Sequence, residues 1–170
     1  MIKRALVSVW RVITGEETTR EVGTEVKGYR GESQVGRALR GLPEGWRVFH
    51  DVDLGSENVG HLIAGPRGVY TVEVKNYAGE VVANSRGLHT YGHRNNGPVE
   101  QAMGQARRLE EQLSVDVEPV LAFVGATVTG HSVDGLPVVT LSELTRFLLI
   151  DDGRRLSWEE ASGFSTLCGR

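Results

Sequence analysis

The stretch Asn58-Val59-Gly60-His61-Leu62-Ile63-Ala64-Gly65-Pro66-Arg67-Gly68-Val69-Tyr70-Thr71-Val72-Glu73-Val74-Lys75 decides how this chain folds. Gly65-Pro66-Arg67-Gly68 reads as a turn, because proline fixes one backbone torsion and glycine admits conformations closed to other residues. The β-branched and aromatic runs on either side read as strands, Asn58–Ala64 and Val69–Lys75. Side chains alternate along a strand, so Val69, Thr71, Glu73 and Lys75 share one face while Tyr70, Val72 and Val74 share the other. A carboxylate and an ammonium therefore leave the end of an otherwise apolar strand side by side. Taken alone, that pair reads first as a salt bridge at the strand's exit.

Working outward, Trp46–Leu54 alternates as a strand that meets Asn58–Ala64 around Gly55-Ser56-Glu57. Two registers are open. A turn on Ser56-Glu57 sets Asp53 opposite Gly60, whereas a three-residue loop sets Val52 there. Upstream, Val35, Ala38, Leu39 and Leu42 recur at helical spacing within Tyr29–Leu42, and Gly41 and Pro43 close that helix. Glu32 shares its buried stripe, where a carboxylate needs a partner or a metal. A first-turn acid favoured by the helix dipole is the plainer account of the same residue.

Downstream, Gly79–Ala83 and Leu88–Tyr91 read as a hairpin across Asn84-Ser85-Arg86-Gly87. Pro98 opens a helix with an apolar stripe of Val99, Ala102, Met103, Ala106, Leu109 and Leu113. Gln101, Gln105 and Arg108 fall off that stripe, on what reads as a solvated face. Pro119–Val124 and Pro137–Leu141 are short buried strands. Ser142 caps a helix to Leu149, and Ser157-Trp158-Glu159-Glu160 is a capping box for a last one. Met1–Ile13 reads equally as strand or short helix. This order gives an α/β or α+β fold with a central mixed sheet flanked by helices. The domain spans 28–150, with an N-terminal extension over 1–27 and a C-terminal helix within 151–170.

The chain has 170 residues, 39% of them apolar and 24% charged, which suits one globular domain with its own core. Nineteen basic against 22 acidic side chains leave a net charge of −3. Any contact with nucleic acid is therefore local rather than a property of the whole surface. Cys168 is the single cysteine, which excludes a disulfide framework and fits a reducing, cytoplasmic setting. No apolar run approaches the roughly 20 residues that span a bilayer, and the N-terminus lacks the pattern of a signal peptide. His89 and His93 have a spacing seen in metal sites but no cysteine beside them, and His61 reads as structural rather than as a general base.

Together, Gly28-Tyr29-Arg30-Gly31-Glu32, the run Leu42–Val52, the run Gly60–Asn76 and Pro98-Val99-Glu100-Gln101 resemble the nuclease-related domain, NERD, of the PD-(D/E)XK nuclease superfamily. The resemblance extends from about Gly28 to about Leu149. It implies a restriction-endonuclease-like sheet with a divalent-metal phosphodiesterase site acting on DNA. Glu32 matches the family's helix carboxylate, Glu73 its strand carboxylate, Lys75 its strand lysine and Gln101 its helix glutamine. Mg²⁺ or Mn²⁺ would be held by Glu32, Glu73 and the Val74 carbonyl, with Asp53 as a candidate substitute ligand. One position departs: Gly60 stands before His61 where the family usually carries the metal-binding aspartate. The implied activity is a DNA nuclease weakened by that loss. The alternatives are an inactive nucleic-acid-binding module, or a protein-interaction module working with a partner or as a homo-oligomer.

Overall fold

The structure is a computed structural model and describes residues 28–55 and 57–150, with side chains from residue 34 onward. The readings of Met1–Ile13 and of the closing helix at Ser157 lie outside the described residues. The elements are α1 (Gly28–Leu39), β1 (Arg47–Asp53), β2 (Asn58–Gly65), β3 (Gly68–Asn84), β4 (Gly87–Thr90) and β5 (His93–Arg94). They continue with α2 (Gly97–Leu113), β6 (Val117–Thr129), β7 (Ser132–Val133), β8 (Leu136–Thr140) and α3 (Leu141–Leu149).

One mixed sheet runs in the order β1-β2-β3-β6-β8-β7, and β4 adds to the far part of β3 and carries β5. β1, β2 and β3 form an antiparallel meander. β3, β6 and β8 are parallel neighbours, which is possible because α2 provides the long connection from β3 to β6. β3 is one strand of 17 residues where the sequence reads as two. It survives the polar stretch through a bulge between Asn76 and Gly79. Gly79 takes a left-handed φ of 114°, and on β6 the left-handed Gly125 lets the Tyr77 carbonyl pass close by; a side chain would obstruct it.

Strand alternation sorts the core into two faces. Tyr70 and Val72 of β3, Ile63 of β2 and Val120 and Ala122 of β6 pack with Val35 and Leu39 of α1 and Leu144 and Leu148 of α3. On the opposite face, Leu62, Ala64, Val69 and Val117 pack with Ala106, Leu109 and Leu113 of α2. Glu73 and Lys75 are in phase with Val69, so they lie on the α2 face. α1 covers the other one.

Three expectations are corrected. Leu54 N–H donates to the Glu57 carbonyl at 2.9 Å, and Asp53 pairs with Asn58 and Val52 with Val59. Four residues, Leu54 to Glu57, thus separate the paired strands, with the left-handed corner at Gly55, φ 86°, one residue more than the longer loop read from the sequence. The same pairing, carried along, sets Asp51 opposite Gly60. Thr140, not Ser142, is the N-cap of α3; the Glu143 carboxylate accepts from the Thr140 N–H at 2.9 Å and its hydroxyl at 2.7 Å. Met103 is exposed, and Gln105 takes the buried place on α2.

Candidate active site

The site forms where β3 leaves the core beneath α2. Glu73 is only 7% exposed, and a carboxylate so placed needs partners for both oxygens. It has them. Lys75, two residues on and therefore on the same face, sets its Nζ 2.7 Å from Glu73 Oε1. Gln105 of α2 donates from Nε2 to Glu73 Oε2 at 3.0 Å. Lys75 Nζ also donates to Gln101 Oε1 at 2.8 Å, which holds the ammonium between strand and helix.

Gln101, Gln105 and Arg108 stand at i, i+4 and i+7, so they line one side of α2. Each reaches a different point of the sheet: Gln101 meets Lys75, Gln105 meets Glu73, and Arg108 pairs with Glu57 at the β1–β2 reversal. The face that reads as solvated from sequence is the one that organises the site. Gln105 is fully buried, and its Oε1 has no hydrogen-bond partner among the described residues. Its spacing was the available signal. It lies three residues after Ala102 and four before Leu109, squarely in the core stripe, whereas Met103 is one step out of phase.

The structure thus brings Glu73, Lys75 and Gln101 together. Val74 packs its side chain into the α1 face of the core, leaving its main chain as what it can offer. Glu32 lies within α1, but its side chain falls outside the described residues. Asp53 is not at the site as a substitute ligand. It is exposed, pairs with Asn58, and its Oδ1 accepts from the Gly55 N–H at 2.6 Å, which ties it to the hairpin reversal. His61 is buried on the α1 face, its Nδ1 2.8 Å from His50 Nδ1, and Gly36 of α1 lies against both rings.

Among the described residues no three His, Cys, Asp or Glu side chains gather to hold a metal. The donor set still fits one hard divalent cation. Mg²⁺ is commonly held by one or two carboxylates, with water and substrate phosphate completing the shell. Each Glu73 oxygen keeps a lone pair beyond the bond it already accepts, and Gln105 Oε1 is a buried acceptor without a donor among the described residues.

The site thus sits on a mixed sheet flanked by helices, with a Glu-x-Lys pair where the central strand meets a helix glutamine. The family model of the nuclease-related domain matches residues 27–124, more than half of the chain, and the chain belongs to that family. Among solved structures, the chain is similar to the EndoMS–dsDNA2 complex, with 15% identity, a TM-score of 0.40, and coverage of 82% of this chain and 48% of that one. A repair endonuclease from Pyrococcus abyssi gives 14% identity, a TM-score of 0.38, and coverage of 82% and 49%. The chain spans about half the length of these structures. No curated protein matches the sequence.

Proposed function

We propose that this domain is a nuclease that hydrolyses DNA phosphodiester bonds with Mg²⁺ or Mn²⁺, at low rate because position 60 lacks a carboxylate. The observation that carries the reading is the buried Glu73 carboxylate, bonded at once by Lys75 and Gln105. Glu73, the Val74 carbonyl and Glu32 would hold the cation. When bound, it lowers the pKa of a coordinated water and polarises the phosphoryl oxygen.

The other steps belong to the chain's own groups. Lys75, pinned between Glu73 and Gln101, orients the attacking water and offsets negative charge as it develops on the phosphate. Gln101 is exposed at the mouth of the site, and its amide N–H groups hold a phosphate oxygen or a water. Gln105 fixes the Glu73 carboxylate from behind. Domain limits of 28–150 and a cytoplasmic setting belong to the same reading, and no helix among the described residues is long and apolar enough to cross a membrane.

Gly60 favours a second reading, a module that binds nucleic acid or a protein partner on a nuclease fold without cutting. Incubating DNA with the protein in Mg²⁺ and in EDTA separates the two. Metal-dependent cutting supports the nuclease. Binding without cutting in either Mg²⁺ or Mn²⁺ supports the module.

A further inference from the structure

Tyr91 is 64% exposed, and a single exposed aromatic is ordinary on a protein surface. Its backbone is not ordinary. β4 and β5 pair Thr90 with His93, which leaves Tyr91 and Gly92 as a two-residue hairpin loop. Both have positive φ, 53° and 76°, as the mirror-image hairpin turn requires. That first position favours Asn, Asp or Gly, and a bulky side chain there is an outlier. The chain holds a tyrosine where the fold alone would be better served by asparagine.

The ring's surroundings point toward the site. Tyr91 lies 6.0 Å, centroid to centroid, from Tyr77, which lies 5.5 Å from Phe123. The Tyr91 ring also touches Gly79, where an added Cβ would sit 3.7 Å from it. Asn95 steadies this group, donating from Nδ2 to Tyr77 Oη at 3.1 Å and to Thr90 Oγ1 at 3.2 Å. Gly79 is four residues beyond Lys75 on β3, about 13 Å along the strand. Residues 75–96 carry Lys75, Arg86 and Arg94 against Glu80 alone, a local basic excess in a chain of net charge −3. Arg94 and His93 are exposed on the same short hairpin.

We infer that Tyr91 is a stacking platform for an unpaired base of a nucleic-acid strand whose backbone runs past Lys75. This rests on the nuclease reading of the Glu73 site and names its substrate class, single-stranded or locally unpaired nucleic acid. Bases within a closed duplex keep their faces stacked on one another, so a protein ring can stack only on an unpaired one. Aromatic stacking tolerates any sequence, because every base has a π-face.

The test measures binding of 5′-fluorescein-labelled single-stranded and blunt duplex oligonucleotides in EDTA, together with thermal unfolding, for the full chain, Tyr91→Asn and Tyr91→Trp. Tyr91→Asn is expected to melt a few degrees higher, since it relieves the turn, and to lose about tenfold in single-strand affinity with duplex affinity unchanged. Tyr91→Trp keeps the single-strand affinity. Unchanged single-strand binding by Tyr91→Asn, in a protein that cuts DNA with Mg²⁺, overturns the stacking platform and leaves the nuclease standing. Equal losses on single strand and duplex overturn it as well. A wild-type chain that binds neither oligonucleotide and cuts neither removes both readings.

Discussion

At the scale of single residues, Gln105 holds together what Glu73 is asked to do. It is the one described side chain that meets the Glu73 Oε2 from the helix side, and replacing it with an apolar group strands a buried carboxylate oxygen. Gln105→Met is expected to cost about 1–3 kcal/mol of stability in urea unfolding, the range for a buried polar group left unpaired, and to weaken Mn²⁺ binding. Stability equal to wild type would show that Glu73 finds another partner. Gly60 and Asp53 make a second pair of expectations. Antiparallel pairing continues from His61–Val72 so that Gly60 comes beside Glu73. Gly60→Asp should therefore tighten Mn²⁺ binding by calorimetry and raise cleavage, since it returns a charged ligand to a hard cation. Asp53→Ala should leave metal binding unchanged, because its carboxylate caps the Gly55 N–H. The reverse pattern would place the metal at the hairpin instead. Glu73 and Lys75 were legible in the sequence because a two-residue period puts them on one face, while Gln101 read as solvated until the family resemblance singled it out. Gln105 was not legible, because its polarity concealed a position that its spacing alone assigns to the core.

At the scale of elements, the capping box of α3 offers a pH-dependent reading of local order. The Thr140 N–H, and next the Thr140 hydroxyl, hold the Glu143 carboxyl below its ordinary value, with His131 and Arg146 adding a little and desolvation opposing. A carboxylate whose folded pKa is lowered contributes stability above its unfolded pKa and loses it as pH falls through the folded one. Wild type should therefore be more stable than Glu143→Gln at neutral pH, and the difference should shrink as the solution is acidified below the ordinary carboxylate range. A difference independent of pH would mean that the shape of the side chain, not its charge, stabilises the helix start. The sequence placed this helix correctly but took Ser142 for its cap, since Thr140 closes a β-branched strand and serves both elements at once. The β1–β2 hairpin shows a similar limit. Gly55-Ser56-Glu57 admits several turns, and only the left-handed Gly55 and the Asp53 bond select the register. β5, two residues long, is too short for any alternation to be read.

At the scale of the whole molecule, the sheet divides the labour. One face is closed by α1 and α3 over an apolar core, and the other receives α2, whose Gln101, Gln105 and Arg108 stripe locks onto Lys75, Glu73 and Glu57. The mixed architecture was legible because strong strands surround a helix long enough to connect parallel neighbours. The union of the Val69–Lys75 and Gly79–Ala83 runs into one strand was not, because the bulge depends on a neighbouring strand remote in sequence. The proposed chemistry depends on Glu73 as an anchor for a cation. The most direct measurement is the cleavage of DNA by purified wild type and Glu73→Gln, side by side, in Mg²⁺ or Mn²⁺ and in EDTA. Glutamine keeps the size of the buried side chain while removing the charge a cation requires. The account predicts slow, metal-dependent cutting by wild type, none in EDTA, and none by a folded Glu73→Gln. Equal cutting by the two proteins, or a wild type that neither cuts nor binds either metal, would contradict it.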